Sequence, residues 1–325
     1  MKPSLKRVLA ACALLCSTTL HAQSWPAEKP VRMVVGFPPG GGVDVVARIV
    51  SQRLSEVLKQ QIVVDNRAGA NGTIGADHVA KSAPDGYTIL MASTAEVVAG
   101  PAAGQKTPYD PEADLVPVVL VGETPVVVVA HPSVPASDLA GLVSHVKANA
   151  GRIAYASPGN GSEGHFAGEA LQAITGAAMQ HVPYRGGAPA LNDIAGNQVP
   201  VGLVGLPPVV SFAKSGRVKV LAVGTSQRSR ALPDVPAASE TPGLKDYRFT
   251  IWMAMFAPPR TPAAVVERLA AEVAKLTQEP GIREKLAAIG VEPLGVTGPA
   301  LAAFLQAERQ SYRAVARSSG IRIDN

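Results

Sequence analysis

A chain of 325 residues with 47% hydrophobic content can bury a sizeable core and is long enough for two domains. Its formal charge of +5 shrinks once Lys2, Lys6 and Arg7 are set aside with a leader: 27 basic residues then face 25 acidic ones, and a net +2 excludes the basic footprint of a nucleic-acid binder. Aromatic residues at 4% are too few for a base-stacking platform or a sugar-lined groove.

The chain opens on that leader. Residues 1–7 carry the three basic side chains, residues 8–20 are mostly apolar, and Leu20-His21-Ala22 ends in a small residue, the pattern of a secretory signal (1–22) cut after Ala22. The apolar run is too short for a membrane-spanning helix. Both cysteines, Cys12 and Cys16, lie inside it, so the exported chain would have no thiol, no disulfide and no cysteine-held metal. A core of this size folds without disulfides. Leu9-Ala10-Ala11-Cys12 also resembles a lipoprotein cleavage site, though it leaves only residues 8–11 as apolar core, and lipidation stays open.

Residues 31–37 then predict a buried strand. It breaks at Pro38-Pro39-Gly40-Gly41-Gly42, after which Val46, Ile49, Val50, Leu54, Val57 and Leu58 recur at helical spacing. A strand, a glycine turn and a helix start leave first-turn N–H groups unpaired at the positive end of a helix dipole, which makes an anion site. A second strand is expected over 61–66, a helix over 73–81 and, past the Pro84-Asp85-Gly86 turn, a third strand over 87–93. This β-α-β-α-β order predicts a parallel sheet with helices on its faces. Ligands of such sheets sit outside the carboxyl ends of the strands, here Phe37-Pro38, Asn66 and Ser93-Thr94.

Residues 100–114 read as a Pro/Gly-rich loop, and the apolar runs 116–122 and 125–130 as one crossing into a second domain. Ser137 is expected to cap a helix with Leu139, Leu142, Val143 and Val146 on one face. A strand over 152–157 leads to a second glycine loop, Pro158-Gly159-Asn160-Gly161-Ser162, and to a helix starting near Glu163. A helix to about Ala195, a strand over 199–204, a helix over 208–214 and a strand over 218–223 continue the alternation. Residues 226–246, punctuated by Pro233, Pro236 and Pro242, read as loop, and 249–256 as a strand. Two helices are expected to close the chain. Thr261 is expected to cap one, with Pro262 at its first helical position and a stripe of Val266, Leu269, Val273 and Leu276; Gly298-Pro299 repeats the device ahead of Leu301, Phe304, Leu305 and Tyr312. Gly290 reads as a helix C-terminal glycine. With no strands left to alternate with, these helices should pack back on the first domain. The predicted architecture is α/β with two lobes, 23–123 plus 224–325 and 124–223. Each is a mostly parallel sheet flanked by helices, and two crossings join them around a cleft.

Several motifs bear on chemistry. The Gly40-Gly41-Gly42 loop satisfies neither G-x-x-x-x-G-K-[ST] nor G-x-G-x-x-G, so it is a plain turn or a small-anion cradle rather than a nucleotide loop. Asp44 would repel an anion and is assigned to supporting the loop, by capping the helix or pairing with Arg48. Asn160-Gly161-Ser162-Glu163-Gly164 nearly matches the G-x-S-x-G elbow, but its first position is Asn and the nearness of His165 in sequence is no triad, so no catalytic residue is assigned. Ser162 serves as a helix cap, a ligand contact or both. His165 and Glu169 are four apart, yet no third ligand follows a metal pattern, so no metal and no cofactor are assigned. Tyr184-Arg185-Gly186-Gly187 can offer a phenol and backbone donors to the cleft, with Arg185 a surface charge.

Taken together, VVGFPPGGGVD (34–44), VDNR (64–67) with Gly75-Ala76, Pro84-Asp85-Gly86-Tyr87-Thr88, Pro108-Tyr109-Asp110, Tyr155-Ala156-Ser157-Pro158-Gly159 with Gly164-His165, Val182-Pro183-Tyr184-Arg185-Gly186, Leu221-Ala222-Val223 and Trp252 with Phe256-Ala257-Pro258 closely resemble the tripartite tricarboxylate transporter substrate-binding receptors, the Bug family. The resemblance implies a type II-like periplasmic binding-protein fold whose lobes close over one ligand and deliver it to a membrane permease of two kinds of subunit. It further implies a non-enzymatic, periplasmic receptor, expected to be a monomer, with small carboxylates or related compounds as ligands. One ligand carboxylate would be held in the first lobe's glycine loop through ordered water and backbone groups, without an arginine clamp. By match of motif, Phe37, Pro38, Pro39, Gly40, Gly41, Gly42, Ser157, Gly161, Ser162, His165 and Tyr184 are the expected ligand positions. Ser93 and Thr94 join them from the strand-end reading. Relatives often carry an acidic residue where this chain has Val204-Gly205-Leu206, which points to a ligand without an ammonium group. A periplasmic sensing co-receptor would need the same cleft and is the alternative role.

Overall fold

The computed structural model describes residues 25–319 and 321, so the expected signal segment 1–22 lies outside the described residues. Strand β1 (Val31–Val35) has parallel partners on both edges, β2 (Ile62–Asn66) and β3 (Thr88–Ser93), with Met33 beside Val64 and Ile89. A strand paired on both edges and covered on both faces needs apolar residues almost throughout, as VRMVV has. β9 (Thr250–Ala257) runs antiparallel to β3, and the long β4 (Val116–Ala130) antiparallel to β9. The two apolar runs around 116–130 are thus one strand, shared by two sheets.

The first half of β4 ends the first sheet with β10 (Glu292–Val296), in the order β2-β1-β3-β9-β4-β10. Its second half pairs antiparallel with β7 (Val201–Gly205) and β8 (Lys219–Val223), and β5 (Ala154–Ser157) lies parallel between β7 and β6 (Gln180–Pro183). In the second lobe only the crossing strand is reversed; in the first, β9 and β10 are. Both sheets are thus mixed rather than mostly parallel: β1, β2 and β3 in the first and β5, β6 and β7 in the second are parallel neighbours, and the pairings through β4, β9 and β10 are antiparallel.

Helices cover both faces of both sheets. On one face of the first, Val46, Val50 and Leu54 of α1 (Gly42–Leu58) meet Met33, Ile89 and Leu269. On the other, Val34, Leu90 and Trp252 meet Leu301 and Leu305. The second sheet carries Leu139, Leu142 and Leu171 on one side, and Leu191, Ile194 and Val209 on the other. The α2 helix (Thr73–Ala80) follows β2, while α3 (Leu139–Ala148), α4 (Glu163–Thr175), α5 (Gly187–Ala195) and α6 (Leu206–Lys214) belong to the second lobe.

Four local expectations are corrected. The chain turns helical at once after β3, in a π-helical turn Ala95–Ala99 continued by Gly100–Ala102, so the loop begins later than residue 100. Asp138, not Ser137, caps α3: its Oδ1 accepts from Gly141 N at 2.7 Å. The Thr261 hydroxyl instead donates to the Pro258 carbonyl at 2.8 Å, leaving Pro262 at the start of α7 (Ala263–Leu276). The chain closes on three helices and a strand rather than two helices: α8 (Pro280–Ala288) and β10 precede α9 (Gly298–Ser319). Pro293 hides β10 from sequence reading, yet proline is tolerated on an edge strand, where no neighbour needs its N–H.

The lobes are tied where the crossings meet. Gly224 N donates to Val126 O at 2.7 Å, Val126 N to Phe249 O at 2.9 Å, and Phe249 N to Gly224 O at 2.9 Å. A Cβ on Gly224 would fall 2.7 Å from Val126 O, so this knot needs glycine. Beyond it, Phe166 of α4 packs edge-on against Tyr312 of α9, with ring centroids 5.3 Å apart.

Candidate functional site

The start of α1 is built from inside. Asp44, in the helix's first turn, turns its Oδ2 back to accept from Gly40 N at 2.9 Å. Arg48 pairs with it at 2.9 Å, and Asn66 Nδ2 donates to its Oδ1 at 2.9 Å and to Phe37 O at 3.0 Å. Burial works against ionisation of Asp44, but the hydrogen bonds from Arg48, Gly40 and Asn66 outweigh it and hold the carboxyl below its usual range. The loop is therefore fixed in shape, while Gly42 and Val43 open a helix whose cap residue Gly41 offers no side chain. Their N–H groups have no acceptor within the helix.

Those two residues face the second lobe. A cavity of about 50 Å³ lies between the lobes, walled on one side by Phe37, Gly41, Gly42, Val43 and Ser93 and on the other by Pro158, Glu163, Gly187, Gly205 and Pro207. The lobes are closed on each other: a Cβ on Gly186 would fall 2.8 Å from Pro38 Cδ across the mouth. Two helix starts of the second lobe have no side-chain cap, that of α5 after Gly186 and that of α6 after Gly205. Gly187, the first residue of α5, lines the cavity, whereas in α6 the cavity residues Pro207 and Pro208, which follow Leu206, have no N–H to give.

The expected ligand positions divide into three groups. Phe37, Gly41, Gly42 and Ser93 line the cavity together, with Pro38 at its mouth and Pro39 and Gly40 in the same loop. Thr94 sits at the contact between lobes, where its hydroxyl accepts from Trp252 N at 3.1 Å and hydrogen-bonds to Glu163. The second-lobe positions turn inward on one another. Ser157 Oγ lies 2.6 Å from His181 Nε2 and accepts from Gly159 N at 3.2 Å. Gly161 N donates to His165 Nδ1 at 3.1 Å, and Ser162 caps α4 by accepting from His165 N at 3.3 Å while donating to Gly159 O at 2.7 Å. Tyr184 gives its hydroxyl to Asp193 Oδ2 at 2.6 Å.

The imidazoles of His165 and His181 stack 4.1 Å apart, and burial lowers both, His181 to about 3 with a further push from His165. Both stay neutral at neutral pH. His165 and Glu169 approach only to 4.0 Å, and among the described residues no cluster of three or more metal-ligating side chains occurs.

Sequence reasoning missed two carboxyl groups. Glu96, wholly buried behind Ser93, accepts from Ser93 N at 3.0 Å and lies 2.7 Å from its Oγ; burial pushes it up to about 8. Glu163, 3% exposed, walls the cavity itself, and burial pushes it up to about 7. The expectation of a ligand without an ammonium rested on a cleft lacking a carboxyl at 204–206; Glu163 supplies one from another element. The only trace of this in the sequence is an acidic residue in the first position of a helix already capped by Ser162.

Residues 46–321 match the family model described as tripartite tricarboxylate transporter family receptor. The chain is 35% identical to protein BugT of Bordetella pertussis over 98% of its own length and 99% of that protein's. Among solved structures, a Rhodopseudomonas palustris protein with adipate superposes with a TM-score of 0.89 at 32% identity, covering 92% of this chain and 99% of that one. MatC from Rhodopseudomonas palustris with bound malate gives a TM-score of 0.82 at 30% identity over 89% and 99%. With its two lobes, its glycine-built helix start and this similarity along nearly its whole length, the chain belongs to the tripartite tricarboxylate transporter receptor family.

Proposed function

We propose that this protein is a periplasmic solute receptor that captures a small carboxylate between its lobes and delivers it to a membrane permease. The observation that carries this reading is the pair of uncapped N–H groups at Gly42 and Val43, held rigid by Asp44 and opening on a cavity that the other lobe closes. Backbone donors at a helix start favour an anion, and they do so without a lysine or arginine beside it. The two similar structures carry adipate and malate, both small dicarboxylates, which supports the same class here. Because contacts from both lobes exist only when the cleft is shut, ligand binding would draw the lobes together.

A thermal-shift screen against small carboxylates tests this. A true ligand at a hundred times its Kd should stabilise the fold by about 2.7 kcal/mol through mass action and raise Tm by several degrees. The ligand should be recovered chemically intact. A screen in which no carboxylate moves Tm, while amines or neutral sugars do, would overturn the assignment.

A further inference from the structure

Among the described residues, Glu163 is the one ionisable side chain in the wall of the cavity. Its carboxyl is held by its own N–H and, from the first lobe, by the Thr94 side chain and the Ala95 N–H. Thr94 already accepts from Trp252 N, so its hydroxyl hydrogen is the one directed to Glu163. Of its two oxygens, Oε1 is buried and has no hydrogen-bond partner. A buried oxygen in that position costs free energy unless something pairs with it.

The groups around it decide its protonation. Glu96 faces it from the turn after β3, Glu308 and Tyr312 from α9, and His165, held neutral by burial, lies on its own helix. None of these supplies a positive charge. An anionic solute on the Gly42 and Val43 N–H groups would add a second negative charge to the same small, dry space. Two like charges there cannot both persist, and the group that yields is the one whose oxygen lacks a partner.

Resting on the carboxylate reading above, we propose that Glu163 contacts the ligand as a neutral acid: its Oε1 carries the proton and donates a hydrogen bond to the captured carboxylate, so that binding takes one proton from solution. The carboxyl then accepts from its own N–H, Thr94 and Ala95 and donates from Oε1, so neither oxygen is left without a partner. Burial that already pushes Glu163 to about 7 makes this step cost little near neutrality.

Calorimetric titration of the protein with adipate and with malate, each in two buffers of different ionisation heat, reads the proton count directly. The expected result is close to one proton taken up per ligand at pH 8, with Kd rising about tenfold for each pH unit above neutrality. Glu163→Gln keeps a hydrogen-bond donor that needs no proton, so its proton count should fall to zero and its affinity at pH 8 should exceed that of the unaltered protein by about tenfold. Adipate or malate binding at pH 8 without proton uptake would overturn the proposal while leaving the carboxylate reading intact. Aspartate or glutamate binding more tightly as pH rises would also overturn it, since an ionised Glu163 would then be pairing with their ammonium. Failure of every carboxylate at both pH 6 and pH 8 would remove the underlying reading as well.

Discussion

Gly40-Gly41-Gly42 in the first lobe and Gly159-Asn160-Gly161-Ser162 in the second both join a strand to a helix, yet they treat their N–H groups in opposite ways. In the first, the acceptor comes from within the helix: Asp44 takes Gly40 N–H and leaves Gly42 and Val43 free to face the cavity. In the second, Ser157, Ser162 and His165 accept from Gly159, His165 and Gly161 and absorb the loop's own donors. A glycine loop at a helix start offers an anion site only to the extent that its neighbours carry no acceptors. The second lobe's cavity-lining helix start without a side-chain cap lies elsewhere, at Gly187.

A second contrast, between a buried carboxyl of the first lobe and a buried imidazole of the second, gives the largest expected effect. In the first lobe Glu96 is raised from an ordinary 4.5 to about 8, chiefly by burial. Between those values the folded state holds a proton the unfolded chain has released, so stability is full below 4.5 and falls as pH rises to 8. In the second lobe His181 is lowered from 6.5 to about 3 by burial and by His165. There the unfolded chain holds the extra proton, so stability is full above 6.5 and falls as pH drops toward 3. Each limb amounts to a few kcal/mol. Denaturant titrations across pH should find that Glu96→Gln flattens only the alkaline side and His181→Gln only the acid side. Parallel pH curves for variant and unaltered protein would break the contrast.

Asp44→Ala comes next. It removes the acceptor for Gly40 and Asn66 and the partner of Arg48. Because the Arg48 side chain is half exposed and can resolvate, the expected stability loss is about 2 kcal/mol, below that of a fully buried pair. Carboxylate affinity should fall more than tenfold, since the loop that aims the donors is no longer held. Retained affinity would mean the donors do not depend on the loop's shape.

Much of this was legible in the chain itself, and the rest failed for physical reasons. Val31–Val35 and Thr88–Ser93 announce themselves because strands buried on both faces are mostly apolar, while the edge strand Ile62–Asn66, only partly buried, shows itself by its short apolar run Ile62-Val63-Val64. The assignment of Asp44 to its own loop followed from charge alone. What the sequence could not say is which donors are spent. Ser157 and His181 are 24 residues apart and meet only because β5 and β6 are neighbours in register, with Tyr155 beside His181 and Ser157 beside Pro183. Glu163 was invisible as a cavity residue because a glutamate opening a helix is ordinary; only the closing of the other lobe buries it.

Gly186 tests closure more gently. Its φ of +116° and the 2.8 Å approach of an added Cβ to Pro38 Cδ place a methyl group directly between the lobes. Gly186→Ala should weaken ligand binding about tenfold by holding the mouth apart, with about 1 kcal/mol lost from the fold through backbone strain. Small-angle scattering should then show a ligand-saturated protein that stays less compact than its parent. Unaltered affinity would mean the mouth closes less tightly in solution.

Ser162→Ala gives the smallest effect and separates the two loops most directly. Its hydroxyl donates to Gly159 O and accepts from His165 N, both within its own loop, and Ser162 is not part of the cavity wall. Losing a helix cap of this kind costs about 1 kcal/mol. Affinity for the carboxylate should change less than twofold, because Gly42, Val43 and Gly187 are untouched. If binding instead fell in step with stability, the second glycine loop would be handing its donors to the ligand after all, and the two loops would be equivalent. If Gly42→Pro, which removes one first-lobe N–H at a helix position that tolerates proline, lost affinity while Ser162→Ala did not, the asymmetry would stand on a single pair of measurements.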